Sequence, residues 1–188
     1  MSGADRPELA LHVCCGPCAT AVIERLLPEF RVHAVWFNPN IQPADEHDRR
    51  LEAMQTVARA MGVPLTVLER DPSAWERACA GLMAEPEGGA RCDVCFRMRL
   101  AEVARFAAAA GIGQLATTLT ISPHKAPDRI NPIGLQAAGE CAIGFLARDL
   151  KQRNGFVRSV QLSRELAIYR QRYCGCLPSL ATGAGDRG

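Results

Sequence analysis

No stretch of the 188 residues approaches the about 20 consecutive apolar side chains that a bilayer span requires, so a membrane role is not expected. The opening ten residues mix acid, base and proline where a signal peptide needs an apolar core, which points to a cytoplasmic protein with no membrane partner. Aromatics make up only 5% of the chain while alanine abounds, so helices packed through small side chains are expected. Long Gly-Ser or Pro-rich linkers are lacking too, and the length suits one domain over residues 1–180, with a glycine-rich tail at 181–188 expected to be disordered. A chain this long buries roughly 70% of its unfolded surface and needs no disulfide staples.

Cysteine, by contrast, is plentiful. There are nine, an odd number, so a fully paired disulfide framework is impossible within one chain. In a reducing compartment, clustered cysteines more often bind metal or do redox chemistry. The net charge is only +2, but residues 148–172 hold seven basic side chains and two acidic ones. Either a polyanionic partner or a solvated helix face would account for that excess.

Hydrophobic patterning predicts a strand over 9–13, a helix over 19–27, a strand over 32–37 and a helix over 45–61 with Gly62 as its C-cap. A strand follows at 64–68, a helix at 74–83 and an acidic, glycine-rich loop at 85–91. The clearest helix is 92–110, closed by Gly111, and a fourth strand is expected at 114–118. Further helices are expected near 131–140 and 163–173. Alternating strands and helices predict an α/β fold with a parallel sheet and a helical C-terminal part.

Seven cysteines fall into three short groups far apart in sequence: Cys14, Cys15 and Cys18; Cys92 and Cys95; Cys174 and Cys176. The first group sits where the first strand ends, the edge at which open α/β sheets bind ligands. The second opens a helix, whose free N–H groups stabilise thiolates. Soft thiolates select zinc, copper(I) or iron–sulfur clusters. Seven are too many for one structural zinc; a [4Fe–4S] cluster takes four and leaves three for a second metal or redox work. Cys15-Gly16-Pro17-Cys18 also matches thioredoxin-like spacing, but that reading leaves the other two groups without a role. Cys79 and Cys141 stand alone among alanines and are expected to be small core residues. The turn after the first strand has one glycine and a proline without an N–H, so a phosphate loop, and with it ATP, is not expected.

LHVCCGPC at 11–18, WFNPNIQP at 36–43, RCDVCFRMRL at 91–100, TTLTISPHK at 117–125 and YRQRYCGC at 169–176 together resemble the QueH family of epoxyqueuosine reductases, in order and across nearly the whole chain. The resemblance implies a Rossmann-like fold related to adenine nucleotide α-hydrolases. It implies an oxygen-sensitive [4Fe–4S] cluster with an additional iron ion, no cobalamin, and two-electron reduction of epoxyqueuosine in tRNA to queuosine. It carries the metal role to Cys14, Cys15, Cys18, Cys92, Cys95, Cys174 and Cys176, without saying which four hold the cluster. Leu150 stands where the family more often has phenylalanine, a change of packing and not of chemistry.

For that reaction an open iron would act as a Lewis acid and a cluster would pass on electrons from an external low-potential donor. His124 is a candidate proton donor, and Lys125 a candidate group for substrate hydroxyls or phosphate. The alternative for Ser122-Pro123-His124-Lys125 is plain turn chemistry. Lys151, Arg153, Arg158, Arg164, Arg170 and Arg172 are candidates for the phosphates of an anticodon stem-loop, with Phe156, Tyr169 and Tyr173 stacking on bases. Of these, Tyr169 is expected on an apolar helix stripe and in the core. His12 is expected to be a core residue, and His33 and His47 show no partner pattern. Asn38 and Asn40 are read as turn or substrate-contact residues, Asp128 and Asn131 as ordering a loop, and Gln42, Glu46 and Arg49 as surface or helix-start residues. The competing function is an RNA-binding module without turnover, zinc-stabilised or redox-sensing.

Overall fold

A computed structural model describes residues 6–181. Strand β1 (Glu8–His12) is followed by α1 (Gly16–Leu26), β2 (Arg31–Trp36), α2 (Ala44–Met61) and β3 (Leu65–Val67). Then come α3 (Pro72–Cys79), α4 (Ala90–Ala109), β4 (Gln114–Thr117), α5 (Pro127–Gly139), β5 (Gly144–Phe145), α6 (Gly155–Glu165) and α7 (Leu177–Ala181). Single 3₁₀ turns at Ala80–Leu82 and Thr118–Ile121 complete the elements.

All five strands are parallel, in the order β3-β2-β1-β4-β5. Alternation along β1 decides what each face packs. Leu9 and Leu11 meet α1 and α2 through Val22, Ile23, Met54 and Val57. Ala10, one residue on, faces the other way and packs with Val103, Ala104 and Ala107 of α4 and Ala138 of α5. Both faces are therefore covered, as a parallel sheet requires. The chain leaves β1 first toward β2 and β3 and later, on its other side, toward β4 and β5. The order thus reverses between β1 and β4, and the loops following those two strands flank the switch point.

Local chemistry sets most helix ends. Gly62 takes a left-handed conformation, φ 65°, and closes α2, with the Val63 N–H returning to the Ala58 carbonyl. Gly111, φ 71°, does the same after α4. The expected helix over 163–173 is not formed: α6 spans Gly155–Glu165, and residues 166–176 run irregularly. The reason is a Schellman closure built on Ala167 at φ 49°, where the Ala167 and Ile168 N–H groups bond to Arg164 and Ser163 carbonyls. Without a glycine there, the stop leaves little trace in the sequence. Helix α5 starts four residues earlier than expected, so Asp128 and Asn131 lie on a helix and not in a loop. Ala181 ends α7, and the rest of the expected disordered tail, 182–188, lies outside the described residues. No described helix is long and apolar enough to cross a membrane.

Candidate metal and substrate site

The β1 loop carries the first cysteine group straight into α1. Cys15 is the N-cap of that helix, its sulfur accepting from the Cys18 N–H at 3.4 Å, and Pro17 occupies the first turn, where no N–H is needed. The cap pulls the group together: the sulfurs of Cys14, Cys15 and Cys18 all lie within 4.8 Å of one another. Thr118, from the β4 loop across the switch point, donates its hydroxyl to Cys14 Sγ at 3.3 Å and accepts the Cys14 N–H at 3.1 Å. Gln171 Nε2 donates to Cys15 Sγ at 3.0 Å.

The other groups arrive from the far parts of the chain. Cys174 lines the same pocket as Cys14, Cys15 and Cys18, together with Arg50, Arg99, His124, Lys125 and Arg170. An adjoining hollow joins Cys174 to Cys92, His124 and Lys125. Cys92, in the first turn of α4, accepts from the Gly88 N–H at 3.2 Å. Cys95, one turn on, packs with Cys176, Trp75 and Cys79 just behind. All three groups thus converge on one end of the sheet, with Cys14, Cys15 and Cys18 as the tight nucleus. Cys79 is fully buried, as expected of a core cysteine, whereas Cys141, just past α5, is only half-buried.

The electrostatics of this end are uneven. The neighbouring Cys15 and Cys18 sulfurs, helped by Arg99 and Lys125, hold Cys14 well below the usual thiol range despite its burial. Hydrogen-bonding to Cys14 and Cys15, with burial, pushes Cys18 far up. Burial, then Cys14, pushes Cys15 up to about 12, and burial pushes Cys95 up to about 12. Burial opposes charge on Lys125, but the facing sulfurs of Cys174, Cys14 and Cys18 outweigh it and hold the ammonium well above its usual range. His12 is fully buried, and its Nδ1 is 2.8 Å from Thr117 Oγ1; burial, then Arg99, lowers its pKa to about 3. It is a neutral core residue.

Several residues that carry this site are not evident from residue type alone. Arg99 is buried beneath the pocket, donating to Asn38 Oδ1 at 2.6 Å, while Asn38 Nδ2 donates to the Val13 carbonyl. Asn38 is thus an internal brace. Arg50 and Glu46 form a buried pair at 2.7 Å on α2, so Glu46 stands at the helix start, one of the two places expected, but is buried and not at the surface. Gln42 is buried as well, its backbone carbonyl accepting the Tyr173 hydroxyl and its N–H bonding to the Gly175 carbonyl at 2.8 Å. The hint was a cation four residues after a cysteine or glutamate on a helix (Cys95 and Arg99, Glu46 and Arg50), a spacing that puts both on one face.

Tyr173, not Tyr169, is the buried tyrosine. Tyr169 lies past the end of α6, half-buried, with its hydroxyl donating to Glu46 Oε2 at 2.7 Å. Phe156 lines the pocket. His33 and His47 do have partners, Thr66 Oγ1 for the first and the Trp36 indole and Asp48 for the second. Among the basic residues, Arg153, Arg164 and Arg172 are exposed. Arg170 donates to Ser163 Oγ at 2.6 Å, and Lys151 Nζ donates to the Lys125 carbonyl at 3.0 Å. Arg158 is held by Glu24 at 2.6 Å.

Comparison with known proteins shows the family and the fold of the chain. The family model described as epoxyqueuosine reductase QueH matches residues 9–182. The epoxyqueuosine reductase QueH of Streptococcus pyogenes serotype M1 is 40% identical over 92% of this chain and 70% of its own. That of Dehalococcoides mccartyi is 36% identical over 92% of each chain. Among solved structures, the U34-tRNA thiolase NcsA from Methanococcus maripaludis, with its [4Fe-4S] cluster, shares the fold at a TM-score of 0.55 and 12% identity. The match covers 87% of this chain and 58% of that one.

Proposed function

The chain belongs to the epoxyqueuosine reductase QueH family, and we propose that its cysteine-lined pocket performs the last step of queuosine synthesis, reducing epoxyqueuosine in tRNA to queuosine. Both C–O bonds of the epoxide break, two electrons enter from an external low-potential donor, and the oxygen leaves with two protons as water. The carrying observation is the sulfur nucleus of Cys14, Cys15 and Cys18 at the switch point, with Cys174 and Lys125 in the same pocket.

The donors fit an iron–sulfur centre: they are all soft thiols and come from separate elements that the fold brings together. Four of Cys14, Cys15, Cys18, Cys92, Cys95, Cys174 and Cys176 would hold a [4Fe–4S] cluster, and the remainder would serve an additional iron ion. When bound, these centres supply the electrons and the Lewis acidity that the reaction needs. High thiol pKa values at Cys15 and Cys95 mean that loading must displace protons, which makes it pH-dependent.

The protein's own groups divide the remaining work. Lys125, a cation at the pocket wall, suits a substrate hydroxyl or a developing negative charge on oxygen. His124 lines the same wall and is the proton donor in this reading. Phe156 offers a ring on which the modified base stacks. Exposed Arg153, Arg164 and Arg172, with Lys151 and Arg170 nearer the pocket, meet phosphates of the anticodon arm. Arg158 contributes least, since Glu24 already compensates its charge.

The test is iron and acid-labile sulfide content on protein prepared without oxygen, then turnover of epoxyqueuosine-containing tRNA with dithionite and no cobalamin. Iron with sulfide and formation of queuosine are expected. Stoichiometric zinc without sulfide, even after anaerobic reconstitution, would sink this reading in favour of an RNA-binding module.

A further inference from the structure

Among the described residues, arginines 50, 91 and 99 are almost wholly buried, each 2% exposed. Burying a cation is costly unless it is paired. Arg50 has Glu46. Arg91 donates to the carbonyls of Met83 and Glu85 in the loop before α4. Among the described residues, Arg99 has neither a carboxylate nor a backbone carbonyl as its partner. Its guanidinium instead meets the neutral amide oxygen of Asn38 at 2.6 Å and the sulfur of Cys95 at 4.0 Å, and its Nε is left without a partner.

The pocket above it has no Asp or Glu in its lining. Arg99 lines that pocket beside Cys14, Cys15, Cys18 and Cys174, and Cys95 Sγ lies 4.0 Å from its guanidinium, so all three cysteine groups surround it. Asn38 is itself pinned by the Val13 carbonyl, so its amide oxygen holds the guanidinium in place without supplying counter-charge. The positive charge is therefore left over for the sulfur site. A fixed cation in a poorly screened interior favours whichever state of its neighbours is more negative. For a thiolate-bound cluster, that is the state with one electron more.

We propose that Arg99 is a positioning residue of the redox centre, whose guanidinium acts through the cysteine sulfurs to raise the reduction potential of the cluster that they hold. This rests on the cluster reading given above. It also assigns a task to Asn38, which keeps the guanidinium beneath the sulfurs and away from solvent. Net charge and hydrogen bonds to sulfur are among the levers that set such potentials, and Arg99 supplies the first and stands at the edge of the second.

The experiment compares wild-type protein with Arg99→Gln, Arg99→Lys and Asn38→Asp, each reconstituted anaerobically with iron and sulfide. Metal and sulfide are counted, and the one-electron reduction is titrated with dithionite by EPR. The midpoint of Arg99→Gln is expected to move to more negative potential, with Arg99→Lys staying close to wild type. Asn38→Asp loses the bond to the Val13 carbonyl but sets a carboxylate against the guanidinium, so it is expected to move the midpoint in the same direction as Arg99→Gln. An unchanged midpoint in Arg99→Gln or Asn38→Asp at full iron and sulfide content overturns the proposal. If Arg99→Gln fails to load while Arg99→Lys loads, charge is again what matters. Equal failure of Arg99→Gln and Arg99→Lys would mean that packing is what matters, and overturns it. Wild-type protein that takes up no iron and sulfide refutes the cluster reading itself, a result distinct from all of these.

Discussion

Arg50, on the second helix, donates through its guanidinium to the backbone carbonyls of Tyr173 and Cys174, each at 3.1 Å. Its Nε meanwhile holds the buried Glu46 carboxylate, and its guanidinium stacks over the Tyr173 ring at 4.9 Å. One side chain thus fastens the last cysteine group, more than 120 residues away, to the body of the fold. The carbonyls themselves lack the sequence signal of a side-chain pattern.

Arg50→Gln should therefore damage both stability and metal loading. Breaking a buried ion pair by removing one member typically costs about 3–5 kcal/mol. Urea denaturation of the metal-free protein is expected to show a loss of that order, and iron bound after reconstitution should fall. Glu46→Gln paired with Arg50→Gln should recover part of the stability but not the anchoring of Cys174.

Gly175 supplies a second check on the same loop. Its φ is +134°, and a Cβ there would meet Asn40 Nδ2 at 3.0 Å and Ile41 at 3.1 Å. Gly175→Ala is expected to cost about 1–3 kcal/mol through backbone strain alone. It should also lower iron retention, because Cys174 and Cys176 flank the displaced residue.

His124 and Lys125 line the pocket together but have different tasks in the proposed chemistry. His124→Ala is expected to lower the rate of queuosine formation by about 100-fold or more, the usual contribution of a positioned proton donor, with iron content unchanged. Intact activity would remove His124 from the mechanism. Lys125→Met, which loses a cation facing the sulfurs, should lower activity even where tRNA binding survives.

Stability of the metal-free protein should carry a histidine signature. The Trp36 indole N–H donates to His47 Nε2 at 2.9 Å, which needs a neutral ring nitrogen. Burial lowers the His47 pKa from 6.5, with Asp48 only partly opposing it. The unfolded chain therefore takes up the proton first. The stability from the neutral ring is complete above about pH 6.5 and is lost as pH falls toward the folded value, with a slope of at most about 1.4 kcal/mol per pH unit. His47→Gln should reduce the slope in urea titrations between pH 5 and pH 7.5, leaving the part that the likewise lowered His12 and His33 contribute.

Charge reversal at Arg153, Arg164 and Arg172 should weaken tRNA binding at low salt and make it less salt-dependent. Each phosphate contact removed lowers the slope of log K against log salt by about 0.7–0.9. Arg158→Glu should change it less, since Glu24 already neutralises that side chain.

The sequence by itself determined the parallel α/β plan and the three cysteine groups that the fold brings to one end of the sheet. Periodicity is local, so the apolar strands, the amphipathic helices and the glycine closures at Gly62 and Gly111 were readable one window at a time. The cysteine groups were readable for the same reason, as short-range clusters of a rare side chain. Tertiary structure alone decided how they meet. The strand order places the β1 and β4 loops side by side, and that brings Thr118 to Cys14. The left-handed Ala167 ended a helix that propensity would have continued, and so released residues 166–176 to bring Gln171 and Cys174 to the pocket. In sequence Glu46 reads as a surface or helix-start residue, and Arg99 and Arg50 show only a four-residue spacing to Cys95 and Glu46, because nothing in a local pattern tells a solvated cation from one buried against sulfur. Only the packing of distant segments removes the water and gives those charges their tasks.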